Sequence, residues 1–279
     1  IMKRVINELF SQGLGFLVLT IDPQIEDMSV LIDELSRKIK NEFTEFYIPK
    51  LIKIKAIPIE AIPLLENYIR QIYGIEEFKW TPSLRSLRIV GYRIAEAERL
   101  YKDLLDEVLR FNKYLYKVKL HRVGDKKESE DHLALKTLVV KNLIDNYNVD
   151  PKDIETEAEI YKGGPIADVY VQKRGWVIEV ETLFDSGAAP ILRIRDTVLK
   201  YKDIHSVQRI WVVIRNMPVL LHFRSLLQLL KYLRDEMKDK EIEFYTINAS
   251  KGTLTNILEI RKRVLKHLSK YSVKELSRS

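Results

Sequence analysis

The sequence predicts an α/β protein with a mixed central sheet flanked by helices. Three observations carry that expectation. Apolar runs of strand length recur along the chain, among them residues 15–21 (GFLVLTI), 176–182 (WVIEVET) and 209–214 (RIWVVI). Between them lie stretches with apolar residues three and four positions apart, the spacing of one helix face. Apolar residues fill 46% of the 279 positions and charged residues 31%, enough for a large core and too apolar for a disordered chain.

Composition also removes whole classes of function. There is no cysteine, so disulfide scaffolds, thiolate zinc sites, iron–sulfur clusters and cysteine nucleophiles are excluded. No apolar run approaches the ~20 residues of a membrane-spanning helix. Lys3 and Arg4 are not followed by an apolar stretch and a small-residue cleavage site. No secretory signal is therefore expected, and a cytoplasmic protein is the default. The abundance of Ile, Lys, Glu and Tyr leans toward a thermophile. The net charge is +7, which favours an anionic partner such as nucleic acid.

Residues 1–75 read as a small β-α-β-α layer. A strand at 15–21 is closed by Asp22-Pro23, and a helix over 29–40 carries Val30, Leu31, Leu35 and Ile39. A β-rich segment over 47–58 follows, then a helix over 61–73. Lys50, Lys53 and Lys55 fit strand-edge charges that discourage edge pairing. There is no Gly-rich phosphate loop here, which argues against a nucleotide triphosphatase. Residues 83–116, after Pro82, form one amphipathic stretch with Ile94, Leu100, Leu104, Leu105, Val108 and Leu109, read as a linking helix. The polar segment 124–130 marks the domain boundary, with an N-terminal α/β region and linking helix over 1–120 and a second domain over 121–279.

The second domain opens with Ser129 as a helix N-cap and Glu130 and Asp131 in the first turn. Leu133, Leu135, Leu138, Val139, Leu143 and Ile144 continue the helix to about Asp145. A strand is expected over 156–161 and a turn at Gly163-Gly164-Pro165. Two strands, 167–172 and 176–182, then surround Lys173-Arg174-Gly175. With Arg174-Gly175 as the hairpin turn, Val171 faces Ile178 and Val169 faces Val180. Alternation then places Asp168, Glu179 and Glu181 together on the opposite face. Three neighbouring carboxylates repel one another unless a divalent cation lies between them or some are protonated. A wet hairpin face bearing acids is the plainer alternative.

A helix over 190–201 follows, with Ile191, Ile194, Val198 and Tyr201 on one side and Arg193, Arg195 and Lys200 as cations near the acids. Then come a buried strand at 209–214, a helix over 220–237, a strand at 241–247 and a basic helix over 253–270. Arg261, Lys262 and Arg263 begin a C-terminal run in which Glu275 is the one acid. Such a run suits a phosphate backbone, or simply a solvated helix face.

The order of acidic helix, strand, acidic hairpin, basic helix and buried strand, with Glu130, Asp168 and Glu179-Val180-Glu181, resembles the PD-(D/E)XK nuclease superfamily. The resemblance covers about residues 128–216. Residues 179–201, an E-V-E-T strand leading into a helix that ends in Lys-Tyr, look like archaeal members of the group. The resemblance implies a restriction-endonuclease-like core in which Glu130, Asp168 and Glu179 hold Mg²⁺ or Mn²⁺, and metal-activated water hydrolyses a DNA phosphodiester. It also implies a homodimer, since two strands need two sites. Glu130 is chosen over Glu128 and Asp131 because Glu130-Asp131-His132 matches the family's Glu-x-His opening.

This chain departs from the family pattern in two places. Pro165 lies three residues before Asp168 instead of adjoining it. Glu181 stands where the family usually has lysine, so Lys200 on the following helix is the candidate for the cationic role. Thr197 with Tyr201 gives half of a Gln-x-x-x-Tyr pattern. The sequence thus favours a Mg²⁺-dependent deoxyribonuclease with Asp168, Glu179, Glu181 and Lys200 as catalytic residues. Arg193, Arg195, Arg261, Lys262 and Arg263 are expected to touch DNA. A lapsed nuclease fold that binds DNA is the alternative, motivated by Glu181. A nuclease governed by residues 1–120 is a third.

Overall fold

The computed structural model describes residues 62–78, 88–111, 113–119, 122–123, 126–127, 129–183 and 190–276. The strand expected at 15–21, the helix at 29–40 and the β-rich segment at 47–58 lie outside the described residues, as does the boundary at 120–121.

Helix α1 (Ile62–Tyr73) and helix α2 (Arg88–Phe111) come first. In α2, Ala97, Tyr101, Leu105 and Val108 are buried. They lie three and four residues apart on one face, against α1 and helix α3 (Glu130–Asp145). A minimal antiparallel pair, β1 (Arg122–Val123) and β2 (Lys126–Lys127), precedes α3. α3 begins as expected: the Ser129 hydroxyl accepts the His132 N–H at 3.2 Å, satisfying one of the orphan donors of the first turn.

A six-stranded mixed sheet follows, in the order β3 (Ile154–Glu159), β4 (Ile166–Val171), β5 (Trp176–Glu181), β6 (Arg209–Ile214), β7 (Glu241–Asn248) and β8 (Thr253–Asn256). β3, β4 and β5 are antiparallel, β5, β6 and β7 are parallel, and β8 returns antiparallel to β7. The parallel steps need crossovers. Helix α4 (Pro190–Leu199) lies between β5 and β6, and helix α5 (Asn216–Glu236) between β6 and β7. Helix α6 (Ile257–Leu276) follows β8. The expected α/β class with a mixed, helix-flanked sheet is therefore present.

Strand alternation sorts the two faces. One carries Val177, Glu179 and Glu181 of β5, in register with Ile210, Val212 and Ile214 of β6. Thr197 in α4 and Tyr201 just after it hydrogen-bond to this face. The other face carries Trp176 and Trp211, against which Tyr147, just beyond α3, packs with ring centroids 6.5 and 4.8 Å away. α1 and α2 contribute Ile69, Ile72, Tyr73, Ala97 and Tyr101 to the same apolar core as the sheet. Among the described residues no helix is long and apolar enough to cross a membrane.

Two expectations about local structure are corrected. The β4–β5 hairpin does not turn at Arg174-Gly175. Gln172–Arg174 forms a 3₁₀ turn closed by Gly175 at φ 59°. Val171 therefore faces Trp176, and Val169 faces Ile178. The register moves by two residues, an even slip, so every side chain keeps its face. The Gly175 carbonyl accepts N–H groups of Gln208 and Arg209 at 2.8 and 3.2 Å, which ties the turn to the start of β6. A Cβ here would lie 2.4 Å from the Ser206 carbonyl oxygen. Gly175→Ala is expected to cost about 2–3 kcal/mol, read as a lowered urea midpoint with an unchanged slope.

The second correction concerns residues 253–256, expected as helix. They form β8, because the turn through Gly252 (φ 62°) folds the chain back on β7 and Thr253 and Thr255 suit a strand. Asn256 then caps α6, its side chain accepting the Leu258 N–H at 2.9 Å.

Candidate active site

Asp168 sits where the β4–β5 pairing opens. The last paired residues are Val169 and Ile178. Beyond them the Asp168 Oδ2 accepts the Val180 N–H at 2.7 Å, taking the place of a ladder bond. By continuation of the register Asp168 faces Glu179, where the expected pairing set it against Glu181. From α3, the His132 Nε2 lies 3.4 Å from Asp168 Oδ2 and 3.0 Å from the Val180 carbonyl oxygen. With the proton on Nε2, His132 donates to that carbonyl.

Glu179 is 6% exposed. The Tyr201 hydroxyl donates to its Oε1, and the Lys200 ammonium lies 3.0 Å from the same oxygen. Lys200 and Tyr201 also donate to the Ile166 carbonyl at 2.9 and 3.2 Å, which joins the end of α4 to the start of β4. Burial first, and then the Asp168 charge, push the Glu179 carboxyl up to about 8, against the opposing pull of Lys200 and Tyr201. Burial and the Glu179 charge push the Tyr201 phenol well above its ordinary range, so it remains a donor.

Glu181 is equally buried. The Thr197 hydroxyl donates to its Oε1 at 3.0 Å, and the Arg193 Nε lies 3.7 Å from its Oε2. Burial raises its pKa, with Arg193 and Thr197 working in the other direction. Arg193, Thr197 and Tyr201 are four residues apart, so one edge of the α4 region serves both buried acids.

On β3, Glu157 adopts the left-handed region at φ 49°. It lies across from Asp168, between the pairs Thr156–Val169 and Ala158–Ala167. Its carboxylate accepts from the fully buried Lys136 ammonium at 2.5 Å. Lys136 is one helical turn beyond His132 on α3, so this ion pair pins α3 to β3 beside the acids.

The structure thus brings together Asp168, Glu179, Glu181, Lys200 and Arg193. Glu130 is not in that group: it is exposed in the first turn of α3. Asp131 turns instead to Arg215, 3.3 Å away, and the α3 residue that reaches the acids is His132. Arg195 pairs with its neighbour Asp196 at 2.8 Å. Lys173 pairs with Asp153 at 2.7 Å, at the far end of the hairpin from Asp168. Arg261, Lys262 and Arg263 are exposed on α6, where Arg263 lies 3.2 Å from Glu259. Among the described residues no three His, Cys, Asp or Glu side chains converge as a ready-made metal cage.

Sequence reasoning left His132, Thr197 and Tyr201 in minor roles. The four-residue spacing of Arg193, Thr197 and Tyr201, which sets the three along one helix edge, was the available signal. Comparison with family models, curated proteins and solved structures yields no match for this chain.

Proposed function

We propose that this chain is a metal-dependent deoxyribonuclease of the PD-(D/E)XK type that acts in the cytoplasm. One observation carries the reading: the buried Glu179 carboxyl and Asp168 face each other where two strands part, and their repulsion helps hold Glu179 protonated near neutrality. Lys200 and Tyr201 offset only part of the cost of ionising Glu179 there. The two carboxylates suit a hard divalent cation whose remaining ligands are water and phosphate oxygens. Asp168 and Glu179 would hold Mg²⁺ or Mn²⁺, which supplies Lewis acidity toward phosphate and lowers the pKa of water.

The chain's own residues do the rest. Lys200 sets a positive charge beside Glu179 and stands in for the lysine absent at Glu181. Tyr201 and Thr197 orient the two buried acids, and Val180 N–H fixes Asp168. His132 holds the Val180 carbonyl and so the spacing between β5 and α3. A homodimer would present two such sites to two strands. The direct test is cleavage of labelled DNA with Mg²⁺ or Mn²⁺ by the wild type and by its Asp168 and Glu179 variants.

Glu181 supports a second reading, a DNA-binding module that has lost catalysis. DNA binding without Mn²⁺ uptake or cleavage would favour it.

Arg261, Lys262 and Arg263 are exposed on α6 and belong to the proposed phosphate track. Replacing all three with Ala should weaken DNA binding and flatten its dependence on log salt by up to about 3, at ~0.9 per phosphate contact. An unchanged slope in a fluorescence-anisotropy titration would remove α6 from the interface.

A further inference from the structure

Arg215 follows the last residue of β6, at the carboxyl end of the parallel strands. Its backbone N–H donates to the Glu181 carbonyl at 3.0 Å. One arm of its guanidinium lies 2.8 Å from Glu98 on α2, and the other 3.3 Å from Asp131 on α3. The group sits over the Tyr101 ring, 5.3 Å from its centroid. Glu98 in turn accepts the Tyr73 hydroxyl of α1. The side chains of Arg215 and Glu98 are 11% and 15% exposed. Apolar side chains of similar volume often serve a core as well as a buried ionic group does; what this one adds is a link between α2, α3 and the end of β6.

The parts joined here are those that build the site. Asp131 adjoins His132, which holds the Val180 carbonyl, and Glu181 follows Val180. Arg215 therefore grips β5 through the backbone of Glu181 and the first turn of α3 through Asp131. Glu98 fixes the direction of its fork.

Resting on the nuclease reading, we propose that Arg215 is a positioning residue, oriented by Glu98 of α2, that sets the first turn of α3 against Asp168 and Glu179. α2 is then part of the catalytic framework and more than a linker. Lysine cannot replace the arginine, because a single ammonium on a flexible stem does not span two carboxylates as the planar fork does. Loss of a supporting group around a metal site commonly costs about 10–100-fold in metal affinity or activity.

The test uses the full chain with Glu98→Gln and Arg215→Lys. Hydrogen–deuterium exchange without metal should quicken in peptides covering 129–135 and 179–183, while β3 and β7 keep wild-type rates. Mn²⁺ affinity should fall about tenfold, and kcat for DNA should fall with KM little changed. Unchanged exchange over 129–135 in Glu98→Gln overturns the proposal, as does faster exchange spread evenly over the sheet, which would mark a merely structural role. Exchange is read without metal or DNA, so it decides the matter even if the wild type neither binds Mn²⁺ nor cuts DNA. That result would sink the nuclease reading alone.

Discussion

Asp168→Asn and Glu179→Gln should each lower Mn²⁺-dependent DNA cleavage by roughly a thousandfold or more, with the fold intact. Both replacements keep shape and remove charge. In Asp168→Asn the amide oxygen can still accept the Val180 N–H that Asp168 accepts at 2.7 Å, so the parting of β4 and β5 survives. In Glu179→Gln the amide oxygen can still accept the Tyr201 hydroxyl. What disappears is the negative charge that would hold a divalent cation against phosphate, and preorganised electrostatic groups of this kind are worth factors of ~10²–10³ each. Loss of the metal as well removes its action on water and phosphate together. Single-turnover cleavage, with circular dichroism as the folding control, measures the effect. Cleavage within tenfold of wild type in both variants would end the nuclease reading, whatever their metal affinity.

Much of that site was legible locally. Ser129 as a cap, the apolar runs of β5 and β6, and the gathering of Asp168, Glu179 and Glu181 on one face all follow from period and propensity. The two-residue slip of the hairpin was not legible, because Gln172-Lys173-Arg174-Gly175 permits either a two-residue turn or a 3₁₀ turn. Contacts with Ser206, Gln208 and Arg209, some thirty residues away, select the second. The sequence favours Glu130 over Glu128 and Asp131, and which of Glu130, Asp131 and His132 reaches the acids was likewise not legible locally. All three lie in one helical turn, and the rotation of α3 over the sheet turns His132 to the acids and Asp131 to Arg215. Arg215 itself carries no periodic signal. Its partners Glu98 and Asp131 are far away in sequence, and only the assembled fold brings them together.

Glu179→Gln has a second consequence, in stability, that runs against its loss of activity. The folded protein holds the Glu179 carboxyl at about 8, raised from an ordinary 4.5. Between those values the unfolded chain has released the proton and the folded chain retains it. Stability therefore falls as pH rises through this window, because the folded state binds more protons. At about 1.4 kcal/mol per pH unit, Glu179 costs the metal-free protein roughly 3 kcal/mol at pH 7. Glutamine is neutral throughout. Glu179→Gln should match the wild type in thermal stability near pH 4.5 and exceed it by several degrees at pH 7–8. Divalent metal should reverse the order. A cation that displaces the proton binds more tightly as pH rises, so excess Mn²⁺ should raise the wild-type melting temperature more at pH 8 than at pH 6 and leave Glu179→Gln nearly unmoved. Parallel melting curves for the two proteins from pH 5 to 8, with and without Mn²⁺, would show that the Glu179 carboxyl is ionised in the fold and holds no metal. The opposite result would identify one carboxyl group as both a liability in the empty fold and the ligand that metal requires, the trade between stability and activity that is common at functional sites.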